Sequence, residues 1–200
     1  MNEIFAHRAL YKSREHSLEG IKNYVESGIG LELDLRYGKN GIYMSHDISD
    51  TAELLKDACE ILSGSKCKTI FHIKEMQVIE ETIQLLKQYS IKNCVLYNTD
   101  GKNIPNENFI EIGFYANKFP NNVNEKILWC DETNERWFDR KTILELQKQN
   151  KILFAHSLEL IQQSTFTEIE NEWSRINEIG FDGICTNFPI ECSEFYGENK

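Results

Sequence analysis

Long apolar runs are missing from this chain of 200 residues. No stretch approaches the eighteen or so residues that a membrane-spanning helix needs. Basic residues are scarce beside acidic ones. Lys+Arg number 22 against 32 Asp+Glu, a net charge of -10, which argues against non-specific nucleic-acid binding. A phosphorylated small molecule stays compatible with that balance, because a bound divalent cation reverses the local sign of one pocket. The six cysteines, Cys59, Cys67, Cys94, Cys130, Cys185 and Cys192, contain no CxxC pair, so a zinc knuckle is not expected. Cys94, Cys130 and Cys185 lie in apolar strand-like runs and read as reduced core residues. GxGxxG, Walker and GxSxG motifs are absent. The segment from Met1 to His7 has no basic leader or hydrophobic signal core, which makes the cytoplasm the default expectation.

What is present is an alternation of short apolar runs with amphipathic stretches. The runs are Ile4–His7, Leu31–Leu35, Thr69–Ile73, Asn93–Asn98, Phe109–Tyr115, Ile127–Asp131, Lys151–His156 and Asp182–Thr186. A short extra strand, Ile42–Ser45, follows the Gly38–Gly41 turn. Helical periodicity starts at Ser17, after Asp50 or Thr51 as cap, at about Gln77, at Arg140 and at Thr167. The polar linker Asp100–Asn108, with Gly101 and Pro105, is too short for a good helix. Parallel neighbours need long crossovers, so eight such units predict an α/β fold, a trimmed (β/α)8 TIM barrel. At roughly 100–200 residues per domain, residues 1–200 are expected to form a single domain. A doubly wound open sheet is the alternative.

Three features carry chemistry. In Glu32-Leu33-Asp34-Leu35 the period of two puts both carboxylates on one face of a strand. Buried side by side they cost several kcal/mol per unpaired ion, unless a hard divalent cation or salt bridges to Arg8, Arg36 or Lys74 offset it. Four of five histidines, His7, His46, His72 and His156, fall near strand ends, where barrel active sites lie. Two of them could serve as general acid and base near neutral pH. Arg8, Arg36 and Lys74 stand beside them and suit phosphate oxygens.

In order, these residues resemble the glycerophosphodiester phosphodiesterase family and its HR…EN[ST]…G.E.D…G…HD signature. The match runs through His7-Arg8, Glu15-His16-Ser17, Gly30, Glu32, Asp34, Gly41 and His46-Asp47. A second match is Gly180–Pro189, similar to the G.DGI.TD.P of the last barrel strand, and Phe71–Lys74 matches weakly. The resemblance implies a TIM barrel, a small-molecule phosphodiester substrate, and His7 and His46 as the acid/base pair. It also implies Glu32 and Asp34 on one divalent cation, Mg2+ or Ca2+ with Mn2+ as a further option, and Arg8 and Lys74 on substrate.

This sequence departs from the pattern at two places. The family's third metal carboxylate falls on His72, so His72, Asp131, Glu75 or water would complete the coordination. Asp131 has the parity to share the interior with Trp129, a candidate substrate contact, and Glu75 does not. No inserted segment follows His46-Asp47. The short form resembles small bacterial members associated with surface-polysaccharide synthesis, through Ile127–Glu132 and Ile152–Glu159. It also resembles the venom phospholipase D branch, which releases a cyclic phosphate. Phospholipid-derived metabolism, cyclisation and a non-catalytic phosphate-binding barrel are therefore the competing implications.

Overall fold

The computed structural model describes residues 3–98 and 104–198. Its strands are β1 Glu3–Ala6, β2 Gly30–Gly38, β3 Gly41–Met44, β4 Thr69–Ile73, β5 Cys94–Asn98, β6 Glu111–Ala116, β7 Ile127–Cys130, β8 Ile152–His156 and β9 Gly183–Thr186. Its helices are α1 Leu18–Glu26, α2 Leu55–Leu62, α3 Ile79–Gln88, α4 Arg140–Lys148, α5 Phe166–Ile179 and α6 Pro189–Glu198. With β3 as an antiparallel extra, the architecture is the expected (β/α)8 barrel. It is trimmed as expected: among the described residues no helix separates β5 from β6 or β6 from β7. Part of the expected Asp100–Asn108 linker lies outside the described residues. The chain divides into two compact units, Ala6–Ile112 and Gly113 onward with the residues up to Phe5.

In the Ala6–Ile112 unit, β2 runs parallel to β4 with Asp34 opposite His72, and β4 runs parallel to β5 with His72 opposite Tyr97. The alternation in β2 works as the period of two requires. Leu31, Leu33 and Leu35 are fully buried in one cluster with Ile21 of α1 and Leu55 and Ala58 of α2. Each contributes about 1.5–3 kcal/mol by leaving water. Ser17 caps α1 by accepting the Gly20 N–H at 3.1 Å. Glycine at position 20 lets the helix start press on the loop before it, since a Cβ there would stand 2.5 Å from the Ala9 carbonyl oxygen.

Helix α2 starts later than a cap at Asp50 or Thr51 predicts. Its N-cap is Leu54, without a side-chain cap. The reason is tertiary: Met44 N–H donates to Glu53 O at 2.9 Å and Leu54 bridges Tyr43, so the chain stays extended along β3. Helix α3 likewise begins at Ile79, after a 3-10 turn over Met76–Val78.

In the other unit β6, β7, β8 and β9 run parallel in that order, and Glu3 N–H at the start of β1 donates to Asp182 O at 3.2 Å. Helix α5 carries a Thr165/Glu168 capping box and ends at Gly180, whose φ of +101° suits glycine. Trp173, Ile176, Leu153 and Ile184 are fully buried in its core. Helix α6 has no counterpart in the sequence expectation. Five cysteines are buried and all six are free thiols.

Candidate metal centre

The site begins with a turn. After β1 the chain enters a 3-10 turn at His7–Ala9, and Arg8, Ala9, Lys12, Ser13 and His16 all take positive φ. Such conformations cost non-glycine residues energy and cluster where a site over-determines them. Here the turn points two donors of one residue at two carboxylates. Arg8 N–H donates to Glu32 Oε2 at 3.1 Å, and Arg8 Nε lies 3.4 Å from Asp34 Oδ2. The Arg8 guanidinium also reaches Glu15 Oε1 at 3.0 Å.

Strand β2 then presents Glu32 and Asp34, 3 % and 2 % exposed, on the face opposite the leucines. From β4, His72 Nδ1 stands 2.9 Å from Asp34 Oδ1 and 4.0 Å from Glu32 Oε1, and Lys74 Nζ is 3.5 Å from Asp34 Oδ1. One ligand atom from each of Glu32, Asp34 and His72 lies within 4.8 Å of the others. From β5, Tyr97 stacks on the His72 ring at 4.4 Å between centroids and 13° between planes. Its hydroxyl points at Glu32 Oε1 at 3.5 Å.

Burial, then the adjacent Asp34 charge, push the Glu32 carboxyl up. Burial also opposes ionisation of Asp34, but the His16 and then the His72 side-chain contacts, with the His72 and Lys74 charges, outweigh it and hold that carboxyl below the usual carboxylate range. His16 Nε2 accepts the Asp34 N–H at 3.1 Å and lies 3.3 Å from Asp34 Oδ2. Asp34 Oδ2 is buried and accepts no hydrogen bond. A carboxylate pair, an imidazole and a buried oxygen that accepts no hydrogen bond together fit a divalent cation.

The β2–β3 hairpin delivers His46. Ser45 N–H donates to Asp34 O at 3.1 Å, so the returning strand brings its end back to the level of Asp34. Arg36 Nε holds the His46 carbonyl at 2.9 Å while its NH1 pairs with Glu75 Oε1 at 3.0 Å. Arg36 and Glu75 therefore serve each other and the hairpin, and stay off the carboxylate pair. His46 Nδ1 lies 3.0 Å from Asp47 Oδ1.

The remaining candidates belong to the other unit. Trp129 is 1 % exposed, its ring packed edge-on against Phe5, Phe154 and His156, so it fills the interior. Asp131 Oδ2 accepts from the Tyr115 hydroxyl and lies 3.5 Å from His156 Nδ1, while Oδ1 accepts the Thr133 N–H at 3.1 Å. Among the described residues it belongs to no metal-ligating group.

Sequence reasoning gave no site role to His16, Tyr97 or Tyr115. His16 stands where the EN[ST] signature has asparagine, which was the available signal. Tyr97 was legible only as the last interior position of its run, and nothing in the sequence pairs Tyr115 with Asp131.

No protein-family model and no curated protein matches the sequence. Solved structures do. A protein from Silicibacter pomeroyi, provisionally named a glycerophosphoryl diester phosphodiesterase, has a TM-score of 0.77 at 10% identity, over 100% of this chain and 94% of that one. A glycerophosphoryl diester phosphodiesterase from Parabacteroides distasonis has a TM-score of 0.72 at 17% identity, over 100% and 87%. A Ca2+-dependent phosphatidylinositol-specific phospholipase C from Streptomyces antibioticus has a TM-score of 0.60 at 9% identity, over 97% and 95%. At these identities the likeness establishes a shared fold.

Proposed function

We propose that this protein is a metal-dependent phosphoric diester hydrolase acting on a small-molecule phosphodiester. The observation that carries the reading is the convergence of Glu32, Asp34 and His72 near the C-terminal end of β4, in a fold shared with phosphodiester-cleaving enzymes. These three residues would hold one divalent cation. When bound, the cation supplies neutralisation of developing charge on phosphoryl oxygens. Arg8 and Lys74, already turned towards Asp34, bind and orient the phosphate from the same side. Asp131 is left out of the ligand set because Tyr115, His156 and Thr133 already use its oxygens. Trp129 supports His156 from within the core, and substrate contact falls to the two cations.

His7 and His46 are the acid and base. Asp47 holds His46 at Nδ1, which leaves Nε2 of that half-exposed ring to exchange a proton with the nucleophile or the leaving alcohol. His7 sits in the strained turn that also sets Arg8. Each proton transfer contributes about 10²–10⁴-fold.

The reading takes its substrate from cytoplasmic phospholipid-derived or surface-polysaccharide phosphodiesters. The deciding experiment is a panel of glycerophosphodiesters, CDP-linked alcohols and sugar phosphodiesters, assayed with Mg2+, Ca2+ or Mn2+ and again with chelator. Chelator-sensitive turnover of at least one diester is the expected result, and no turnover of any would sink the reading. Phosphorus-31 spectra of the product separate hydrolysis from release of a cyclic phosphate.

A further inference from the structure

The donor set at the metal centre is short of oxygen. Of the four carboxylate oxygens, Glu32 Oε2 is taken by the Arg8 N–H, and Asp34 Oδ1 is shared by His72 and Lys74. Glu32 Oε1, loosely approached by the Tyr97 hydroxyl, and Asp34 Oδ2, which accepts no hydrogen bond but has Arg8 Nε at 3.4 Å and His16 Nε2 at 3.3 Å, are the oxygens left for an ion. The third donor is the His72 imidazole, whose plane is set by the stacked Tyr97 ring. The charge count is equally lean. Two ionised carboxylates would bring two negative charges to an ion, and Lys74 and Arg8, the latter shared with Glu15, set positive charge against them at 3.5 Å and 3.4 Å from Asp34.

A hard ion gains little from such a site. Ca2+ seeks 6–8 oxygen ligands and Mg2+ keeps its water unless carboxylate charge draws it in. An ion that gains from a nitrogen donor does better, because its affinity does not depend on net charge alone. From this donor set we infer that the Glu32–Asp34–His72 centre selects a first-row transition-metal ion over Mg2+ and Ca2+, with the His72 ring nitrogen, once it gives up the proton it now shares with Asp34 Oδ1, as the donor that decides. The inference rests on the metal-dependent reading above and sharpens it. His72 acts here through the ion, and Tyr97 is a positioning residue that keeps the ring from turning.

Binding, not turnover, tests it. The full chain is stripped with chelator, dialysed, and titrated by calorimetry with Mn2+, Mg2+ and Ca2+ separately. Mn2+ is expected to bind at least about tenfold more tightly than either of the others. Pulsed electron paramagnetic resonance of the Mn2+-loaded wild type is expected to show a directly bound nitrogen, a readout that needs no variant to fold. His72→Ala should weaken Mn2+ by about 10–100-fold or more, by analogy with the loss of ligand-supporting groups. His72→Glu, which restores a charged oxygen, should erase the Mn2+ advantage and strengthen Mg2+ and Ca2+. Circular dichroism checks that each variant is folded.

Equal affinity of wild type for Mn2+ and Ca2+ or Mg2+, or a Mn2+ signal without bound nitrogen, overturns the inference. If Mg2+ or Ca2+ then still supports diester cleavage, the hydrolase reading stands and only the selectivity falls. If no divalent ion binds, both fall together.

Discussion

Asp34, midway along β2, and Asp131, just past the end of β7, are both buried carboxylates beside a histidine, and they are held differently. Both oxygens of Asp131 are used, by Tyr115, His156 and Thr133, and the His156 and Thr133 contacts outweigh burial and keep the carboxyl below its usual range. Asp34 shares its pocket with a second carboxylate, and its Oδ2 accepts no hydrogen bond. A saturated carboxylate fixes its neighbours and has nothing left to bind. One whose Oδ2 has only longer ion-pair contacts, Arg8 Nε at 3.4 Å and His16 Nε2 at 3.3 Å, beside a second carboxylate keeps an oxygen that a ligand can take. Residue type and burial are the same in the two cases, so the distribution of donors separates an aspartate held by its neighbours from the one proposed to ligate.

The largest contrast should come from removing each carboxylate's charge. Asp34→Asn is expected to abolish divalent-ion binding and lower turnover by at least about 10²–10³-fold, the scale of losing a transition-state charge stabiliser. Asp131→Asn should leave metal affinity unchanged in calorimetry. Comparable losses of metal affinity in both variants would erase the distinction.

Next in size are the proposed acid and base. His7→Ala and His46→Ala should each reduce kcat by about 10²–10⁴-fold with little change in thermal midpoint, since neither ring fills the core. His156→Ala, in the saturated cluster, should do the reverse. Parallel loss of folding and turnover in His7→Ala or His46→Ala would return those residues to a structural role.

The part of this contrast that the sequence carries follows from periodicity. Parity put Glu32 and Asp34 on one face, ranked Glu75 below Asp131, and set the leucines of β2 on the opposite face. Eight apolar runs separated by crossovers carried the fold. Tertiary pairing was less accessible. Helix α2 starts late because Glu53 and Leu54 are still tied to β3, a contact no local propensity encodes. His16 is buried by a turn of left-handed residues that periodicity does not describe. The Tyr115–Asp131–His156 cluster joins three strands, and only register decides that their ends meet.

A third test weighs the saturated side by stability. Truncating Asp131 to alanine strands the Tyr115 hydroxyl, the Thr133 amide and His156 Nδ1 in partly buried positions. About 1–3 kcal/mol of destabilisation is expected in urea unfolding. A neutral result would show that water replaces the carboxylate and that the cluster is no more structural than Asp34.

The smallest effect is a pH slope, and its sign follows from Glu32. Burial and Asp34 raise this carboxyl to about 8, so the folded protein holds a proton that the unfolded chain has released above the ordinary carboxylate range. Below that range Glu32 is protonated in both states and its contribution is fully present. As pH rises towards about 8 the contribution is lost, because the fold must then bury a second charge beside Asp34. Asp34 works in the other direction, but its carboxyl is held low, so its stabilisation is already complete above the ordinary carboxylate range and adds no slope there. In chelator, the thermal midpoint of the wild type should therefore fall between pH 5 and pH 8 by more than that of Glu32→Gln, which cannot ionise. At roughly 2–4 °C per kcal/mol for a chain of this size, the difference is a matter of degrees. Saturating divalent ion should reverse it, since ligation then takes the place of the proton and tightens as pH rises. Identical pH profiles for the two proteins in chelator would mean that Glu32 is already ionised and paired. The contrast between the two carboxylate sites would then rest on Asp34 Oδ2 alone.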